Sequence, residues 1–131
     1  MLYDQVLYLH VHRSMAAIHR AVHGTEDHGL VEHANRLYHL VRTNYWFADG
    51  PDADVYHPVL YEKASEAPQC SSKRYWLPFF GPTGYGYRFD AFANVLASLL
   101  GVADDEQRES VDDHVDDILP EELPLLPAFH P

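Results

Sequence analysis

The segment from Arg74 to Asp90 contains the side chains of this sequence that are best suited to binding a ligand. It alternates aromatic rings with Pro and Gly and carries charged groups near its end. Aromatic rings stack on the apolar faces of pyranose sugars, while carboxylate and guanidinium groups form paired hydrogen bonds with polar groups. These residue types predict a sugar-binding site, for which we select Tyr75, Trp76, Tyr85, Tyr87, Arg88 and Asp90.

The same segment has a structural interpretation. Its rings could fill the space over the helix that follows, and Asp90 could cap that helix or pair with Arg88. The two interpretations differ in exposure. A sugar cleft requires Trp76, Tyr85 and Tyr87 to be partly exposed in a concave surface with Arg88 and Asp90 at its wall, whereas the structural interpretation requires buried rings.

Other reactive groups lack the spacing that a site needs. His19 and His23 are four residues apart, but zinc takes three or four ligands and the Glu of an HExxH motif is absent. Cys70 is the only cysteine, so it has no partner for an internal disulfide. The glycines of residues 81–86 do not form a phosphate-binding motif, and no GxSxG is present. We therefore expect no metal and no cofactor, and catalytic residues cannot be assigned.

The charge balance disfavours two classes of partner. Twenty Asp and Glu against nine Lys and Arg give a net charge of −11, a field that repels phosphate backbones and anionic lipid. We expect binding to neither nucleic acid nor membranes. The 12 Asp, 8 Glu and 2 Lys resemble the composition of salt-adapted proteins, although eight of the acids lie within 104–117 and could form one acidic helix. No apolar run approaches the ~20 residues of a membrane span, and no secretory leader is evident, so we expect a cytoplasmic protein.

Apolar periodicity predicts an all-α fold in one unit, residues 1–131. Apolar residues at Leu7, Val11, Met15, Ile18 and Val22 recur every three or four positions, which is typical of the buried face of a helix. The sequence of residues 89–100 is apolar nearly all round and predicts a central, buried helix. Asp104 and Gln107 have capping-box spacing. The helices are predicted over 3–23, 29–45, 89–100 and 104–119, and form two antiparallel αα-hairpins.

Two segments lie outside these helices. Residues 47–88 contain five prolines and four glycines, which predicts a long loop with at most short helix or strand pieces, such as 55–61. Its aromatic content predicts an ordered loop that packs on the helices. Residues 120–131 contain four prolines and predict an extended strap anchored by Leu123, Leu125, Leu126 and Phe129.

The run YWLPFFGPTGYGYRFDAFANVLASLLGVADDEQ, followed by ELPLLPAFHP, resembles the central part of six-hairpin (α/α)6-barrel glycosidases. The similarity is to the amylo-alpha-1,6-glucosidases of the glycogen-debranching type. The matching elements are the Pro-containing aromatic loop at 75–78, the Phe-Asp pair at 89–90, the Ala-Asn pair at 93–94, the helix start at 101–107 and the Leu-Pro strap at 123–127. The hairpin before the loop, including residues 4–8 and 44–46, is also similar.

This resemblance implies an arc of an (α/α)6 barrel, because a full barrel has twelve helices and this chain supplies four. It implies a fragment or subunit of a glycoside hydrolase acting on α-glucans or related oligosaccharides. Glycosidases need two carboxylates across the scissile bond, and the family's pair has no counterpart here, so we expect the isolated chain to be catalytically incomplete. The alternative is a stand-alone acidic helical interaction module without enzymatic activity.

The arc also implies partners. The flanks of the first and last helices, with Leu125, Leu126 and Phe129 of the strap, would lack the neighbours that a closed barrel provides. A contiguous apolar surface is therefore expected, and with it a homo-oligomer or a complex with complementary barrel segments. The expected ligand is an oligosaccharide or α-glucan.

Overall fold

A computed structural model describes residues 1–47, 54–68, 75–119 and 127–130, and these are mostly helical. The helices are α1 (Leu2–His23), α2 (His28–Tyr45), α3 (Pro58–Ser65), α4 (Ala91–Leu99) and α5 (Asp105–Ile118). Two short antiparallel pairs accompany them: β1 (Phe80–Gly81) with β2 (Gly84–Tyr85), and β3 (Phe89–Asp90) with β4 (Phe129–His130). The all-α class is confirmed. None of the helices in these ranges is long and apolar enough to cross a lipid bilayer.

The first αα-hairpin, α1 with α2, forms as predicted. Gly24 ends α1 in the left-handed conformation, with a φ of 73°, and its N–H donates to the Arg20 carbonyl. Asp27 then caps α2, because its carboxylate accepts a hydrogen bond from the Leu30 N–H at 3.1 Å. The two helices pack along each other. Their boundaries could be predicted from the sequence because the capping residues Gly24 and Asp27 act on near neighbours.

The prediction of which α1 face is buried is wrong. The buried residues are Leu2, Val6 and Leu9, whereas Leu7, Val11, Met15, Ile18 and Val22 are exposed. At about 100° per residue these two sets lie on roughly opposite sides of the helix. The first nine residues carry a second apolar face, and this shorter face packs into the core. The longer apolar stripe, from which the helix was predicted, faces outward.

Helix α4 also departs from the prediction of a helix buried on every side. Residues 89–90 form β3 instead of the first turn, and Phe92, Val95 and Leu99 are exposed. The small residues Ala93 and Ala97 are fully buried. Because small side chains permit close approach, α4 packs its alanine face against the protein, with Leu96 partly buried beside it, and leaves Phe92, Val95 and Leu99 outside.

The second predicted hairpin differs from the structure. Helix α4 packs against α1 and makes few contacts with α5. The N–H groups of Val102 and Ala103 both donate to the Ala97 carbonyl, and Gly101 has a φ of 67°, so the chain turns sharply after α4. That these helices form an arc of a barrel stays a prediction.

The capping box predicted for the last helix is confirmed. Asp104 accepts from the Gln107 N–H at 2.9 Å, and the Gln107 side chain accepts from the Asp104 N–H at 3.1 Å. Arg42 of α2 donates to the Asp104 carboxylate at 2.6 Å and to the Val102 carbonyl at 2.8 Å. This guanidinium ties the start of α5 to α2.

The described parts of the predicted loop are ordered and packed, as expected from their aromatic content. Residues 75–78 run beside the ends of α1 and α2: the Leu2 N–H donates to the Pro78 carbonyl at 2.7 Å, and the Leu77 N–H donates to the Tyr45 carbonyl at 2.8 Å. The loop also has a core of its own, centred on Phe47, Tyr61 and Tyr85. Of the strap, residues 120–126 lie outside the described part, so the predicted anchors Leu123, Leu125 and Leu126 do too. Phe129 lies in β4 and is exposed.

Candidate functional site

Two of the six predicted sugar-binding residues are core aromatics. Trp76 is fully buried and packs against Trp46, with ring centroids 5.2 Å apart. Tyr85 is buried against Phe47 at 5.0 Å, and burial raises its pKa to about 12. The expectation that these two rings are exposed in a concave surface is therefore wrong, because the loop folds back and uses them to build its own packing.

Asp90 is also buried, and it caps a helix. Its carboxylate accepts a hydrogen bond from the Ala93 N–H at 3.0 Å at the start of α4, while its backbone pairs with Phe129. This is the structural alternative stated for Asp90. Of the remaining three residues, Arg88 is exposed, and Tyr75 and Tyr87 are half-buried and joined by a hydrogen bond from the Tyr75 hydroxyl to the Tyr87 carbonyl. The six residues do not converge on one cleft.

Asn94 joins the segment that contains Trp76 to helix α4. Its side chain is fully buried; the Oδ1 accepts from the Trp76 N–H at 2.8 Å, and the Nδ2 donates to the Trp76 carbonyl at 3.1 Å. The Nδ2 also donates to the Asp90 carbonyl at 2.9 Å. One amide thus satisfies both backbone groups of Trp76 and fixes them to α4, which accounts for an Asn in the middle of an apolar helix.

A pocket of about 420 Å³ opens beside this segment, between the start of α1, the second half of α2 and residues 54–56. Its lining combines an apolar floor, an aromatic wall and a polar rim. The floor is Leu37, Leu40 and Val41; the wall is Tyr45, Tyr56 and Phe80; and the rim is Met1, Gln5, Asn44 and Asp54. A mostly apolar concavity with a few convergent polar groups is the usual form of a small-molecule site.

The polar rim is organised by the buried side chain of Asn44. Its Nδ2 donates to the carbonyls of Leu40 at 3.0 Å and Asp54 at 3.2 Å, and its Oδ1 accepts from the Tyr56 N–H at 2.7 Å. These bonds join α2 to the segment that follows it in the pocket wall. The positions of Asp54 and Tyr56 are consequently fixed relative to the helix.

The Asp54 carboxylate is held in its ionised form. Arg36 donates to its two oxygens at 2.6 and 3.0 Å, and the Nε2 of His39 lies 3.0 Å from one of them. The Arg36 hydrogen bond is the main reason that the pKa of Asp54 is lowered, with a smaller contribution from His39. The rim therefore presents a carboxylate whose charge is compensated by a guanidinium, which suits a neutral polar ligand better than a cation.

The aromatic wall combines the exposed ring of Tyr56 with the buried phenol of Tyr45, and the ring of Phe80 contacts both. Phe80 lies 4.9 Å from Tyr45 and 5.1 Å from Tyr56, measured between ring centroids. Tyr56 is 53% exposed, whereas Tyr45 is buried, and burial together with the charge of Asp4 raises the pKa of Tyr45 to about 12. The Tyr45 hydroxyl is therefore protonated at neutral pH. Tyr56 offers an open ring to a ligand.

Sequence reasoning missed most of this pocket. Phe80 falls within the segment that the sequence singled out, but Asn44, Tyr45, Asp54 and Tyr56 come from the helix before the loop and from the loop itself. The available signal was the sequence Asn44-Tyr45-Trp46, which carried part of the resemblance. Within the described residues, no group of three or more His, Cys, Asp or Glu side chains is placed to hold a metal ion.

Comparisons with known proteins add no family to this description. No protein-family model matches the chain, and no curated protein and no solved structure shows significant similarity to it.

Proposed function

We propose that this chain is a fragment or subunit of a carbohydrate-active glycoside hydrolase, and that it contributes part of the sugar cleft for an α-glucan or related oligosaccharide. The observation that carries the proposal is the pocket, whose lining includes the exposed ring of Tyr56 and the side chain of Asp54. Aromatic rings that stack and carboxylates that accept hydroxyl hydrogen bonds are the two elements of sugar recognition. The sequence resemblance supports the choice of an α-glucan.

In this proposal the residues that line the pocket have different roles in binding the sugar. A pyranose ring stacks on Tyr56, the floor at Leu40 and Val41 packs against its apolar patches, and Asp54 accepts a hydrogen bond from a hydroxyl. The Tyr45 hydroxyl, which is protonated at neutral pH like that of any tyrosine, can donate to a ring or glycosidic oxygen. The sugar-binding role moves from the buried residues Trp76, Tyr85 and Asp90 to this neighbouring surface.

The pocket is suited to binding and not to bond cleavage. Of the described residues that line it, Asp54 is the only carboxylate, whereas a glycosidase uses two. A general acid also requires a raised pKa, and the pKa of Asp54 is lowered by Arg36. The proposed catalytic pair therefore belongs to another part of the assembly, and the isolated chain binds without hydrolysing.

The arc of an (α/α)6 barrel is the fold that we propose for this assembly. The side-by-side packing of α2, α1 and α4 supports it, because successive helices of a barrel are neighbours.

The test is the affinity for maltotriose, measured by isothermal titration calorimetry. One stacked ring and a few hydrogen bonds without a closed site give an affinity in the millimolar range or weaker. We expect Tyr56→Ala to weaken binding about tenfold, because a stacked ring contributes roughly 1 kcal/mol beyond its buried area. Phe129→Ala is the matched control: that ring is 57% exposed, close to the 53% of Tyr56, but lies on β4 outside the pocket. Equal binding by both variants would contradict the proposal.

A second function is favoured by the burial of Trp76 and Tyr85. Buried rings are what the stand-alone interaction module requires, and α5 supplies a dense acidic face for a basic partner. In that case maltotriose would leave the protein unchanged, whereas a cationic protein such as lysozyme would bind in low salt and dissociate as salt is added.

A further inference from the structure

Helix α1 exposes an apolar stripe, whose first residue, Tyr8, lies beside α2 with its ring 6.2 Å from that of His33. Tyr8, Val11, Met15, Ile18 and Val22 are all about half or more exposed, although each is apolar or aromatic. Their spacing of three and four residues repeats every seven, which is the pattern of helices that pack against other helices. The stripe runs about 21 Å along the helix at 1.5 Å per residue.

Helix α4 widens this stripe into a surface. It lies alongside the first half of α1: the rings of Tyr3 and Phe92 are 6.1 Å apart, and the Arg13 guanidinium donates to the Leu100 carbonyl at 3.2 Å. On α4, Phe92, Val95 and Leu99 are exposed at helical spacing. We call these eight residues of α1 and α4 the outward face.

The outward face exposes more apolar area than is usual for the surface of a monomeric protein. With each side chain about half exposed, its apolar area is on the order of 900 Å², against about 300–600 Å² for the largest patch on a monomeric protein. Each partner in a standard protein complex buries about 800 Å². The area available on this face is therefore what one side of a stable dimer needs.

Charge favours a second copy of the chain as the occupant. Copies carrying −11 repel one another, but α1 contains one carboxylate, Asp4, which pairs with the N-terminal amine at 3.5 Å, and α4 contains none. Eight of the chain's 20 acids instead lie between Asp104 and Asp117. Two outward faces can thus meet without bringing carboxylates together.

We infer that the chain forms a symmetric dimer in which the outward face of one copy packs against the outward face of the other. A two-fold interface uses the same patch on both copies, and a single apolar stripe with a regular repeat is complementary to itself. Met15 is the middle residue of the stripe, so it lies near its counterpart whichever direction the second helix runs. Dimerisation is independent of what the pocket binds.

The mass in solution, measured by sedimentation velocity, tests this inference. We expect about 30 kDa, twice the 15.0 kDa of one chain, and tighter association in molar salt because salt screens the net negative charge. Val11→Asp should raise the dissociation constant at least about 100-fold, because dimerisation would bury an unpaired carboxylate. Val59→Asp is the matched control, since Val59 is 51% exposed like Val11 but lies on α3. Circular dichroism verifies that both variants fold.

A cross-link locates the interface. In a Cys70→Ser background, Met15→Cys should form an intermolecular disulfide on mild oxidation, whereas Val59→Cys should not. A monomer in both low and molar salt, or a dimer that Val11→Asp leaves intact, would overturn the inference. Binding of a monomer to phosphatidylcholine vesicles through Val11 would overturn it as well, because lipid would then be the occupant of the face.

Discussion

Replacing Asn94 with Ala should destabilise this protein strongly. The Asn94 amide makes three hydrogen bonds in the interior, two to the backbone of Trp76 and one to the carbonyl of Asp90. Ala can replace none of them. Because Trp76 is fully buried, water has no ready access to its N–H and carbonyl groups once the amide is gone.

The magnitude follows from those two backbone groups. Each buried polar group left without a partner costs about 1–3 kcal/mol, so the loss lies between roughly 2 and 6 kcal/mol. We expect about 3 kcal/mol, since a water molecule can occupy part of the space that the amide vacates. Domains of this size have a free energy of unfolding of about 5–15 kcal/mol, so the variant should stay folded but be clearly weakened.

Urea denaturation followed by circular dichroism measures this change, with the midpoint expected to fall and the slope to stay constant. Ser98→Ala is the control: it lies one turn further along α4, is not fully buried, and should change the free energy of unfolding by less than about 0.5 kcal/mol. If Asn94→Ala were equally mild, the amide would not be holding Trp76 to α4 and the packing described for this segment would be refuted.

Two further predictions concern pH and helix capping. Asp104→Ala should lower the free energy of unfolding by about 1–2 kcal/mol at neutral pH through loss of the α5 cap, as measured by urea denaturation. Hydrogen bonding by Arg42 lowers the pKa of Asp104, so the contribution of this carboxylate is present above the ordinary Asp pKa of about 4 and is lost as the pH falls through the lowered value. A difference between Asp104→Ala and the parent protein that did not shrink as the solution is acidified would contradict this. Burial raises the pKa values of Tyr45 and Tyr85 to about 12, so two tyrosines should ionise late in an ultraviolet titration, and stability should be kept up to about pH 10 and lost between about pH 10 and 12, where the unfolded chain ionises first. Late ionisation should be absent in urea, and its presence there would contradict the assignment.

The sequence was informative where structure depends on neighbouring residues. Gly24 predicts the end of α1 and Asp27 predicts the start of α2. The pairing of Asp104 with Gln107 predicts the start of α5. These are interactions over three or four residues, so spacing alone reveals them.

Which side chains are buried could not be predicted from the sequence in the same way. Helix α1 has two apolar faces, and the longer one, which includes Val11 and Ile18, is exposed. Which face is buried depends on where α2, α4 and residues 75–78 pack, and these contacts join residues far apart in the chain. The same reason hid the burial of Trp76, because an aromatic residue in a Pro-rich loop has the same local sequence whether it lines a cleft or fills a core.

The pocket shows why the candidate functional site could not be predicted from the sequence. Its rim depends on Asn44 of α2 holding Asp54 and Tyr56, and its wall is completed by Phe80. No periodicity links these residues. Residue types in the segment 74–90 indicated sugar chemistry, but only the folded chain shows which rings of this region remain open.

The most direct test of the proposed function is to locate where an oligosaccharide binds. In a two-dimensional ¹H–¹⁵N nuclear magnetic resonance titration with maltotriose, the account predicts that the largest shifts occur at the backbone amides of Gln5, Tyr45 and Tyr56, around the pocket. Amides of α5 and of the outward face should stay unchanged, and Tyr56→Ala should abolish most of the shifts. An absence of shifts at millimolar maltotriose, or shifts that centre on α5 and survive in Tyr56→Ala, would contradict it.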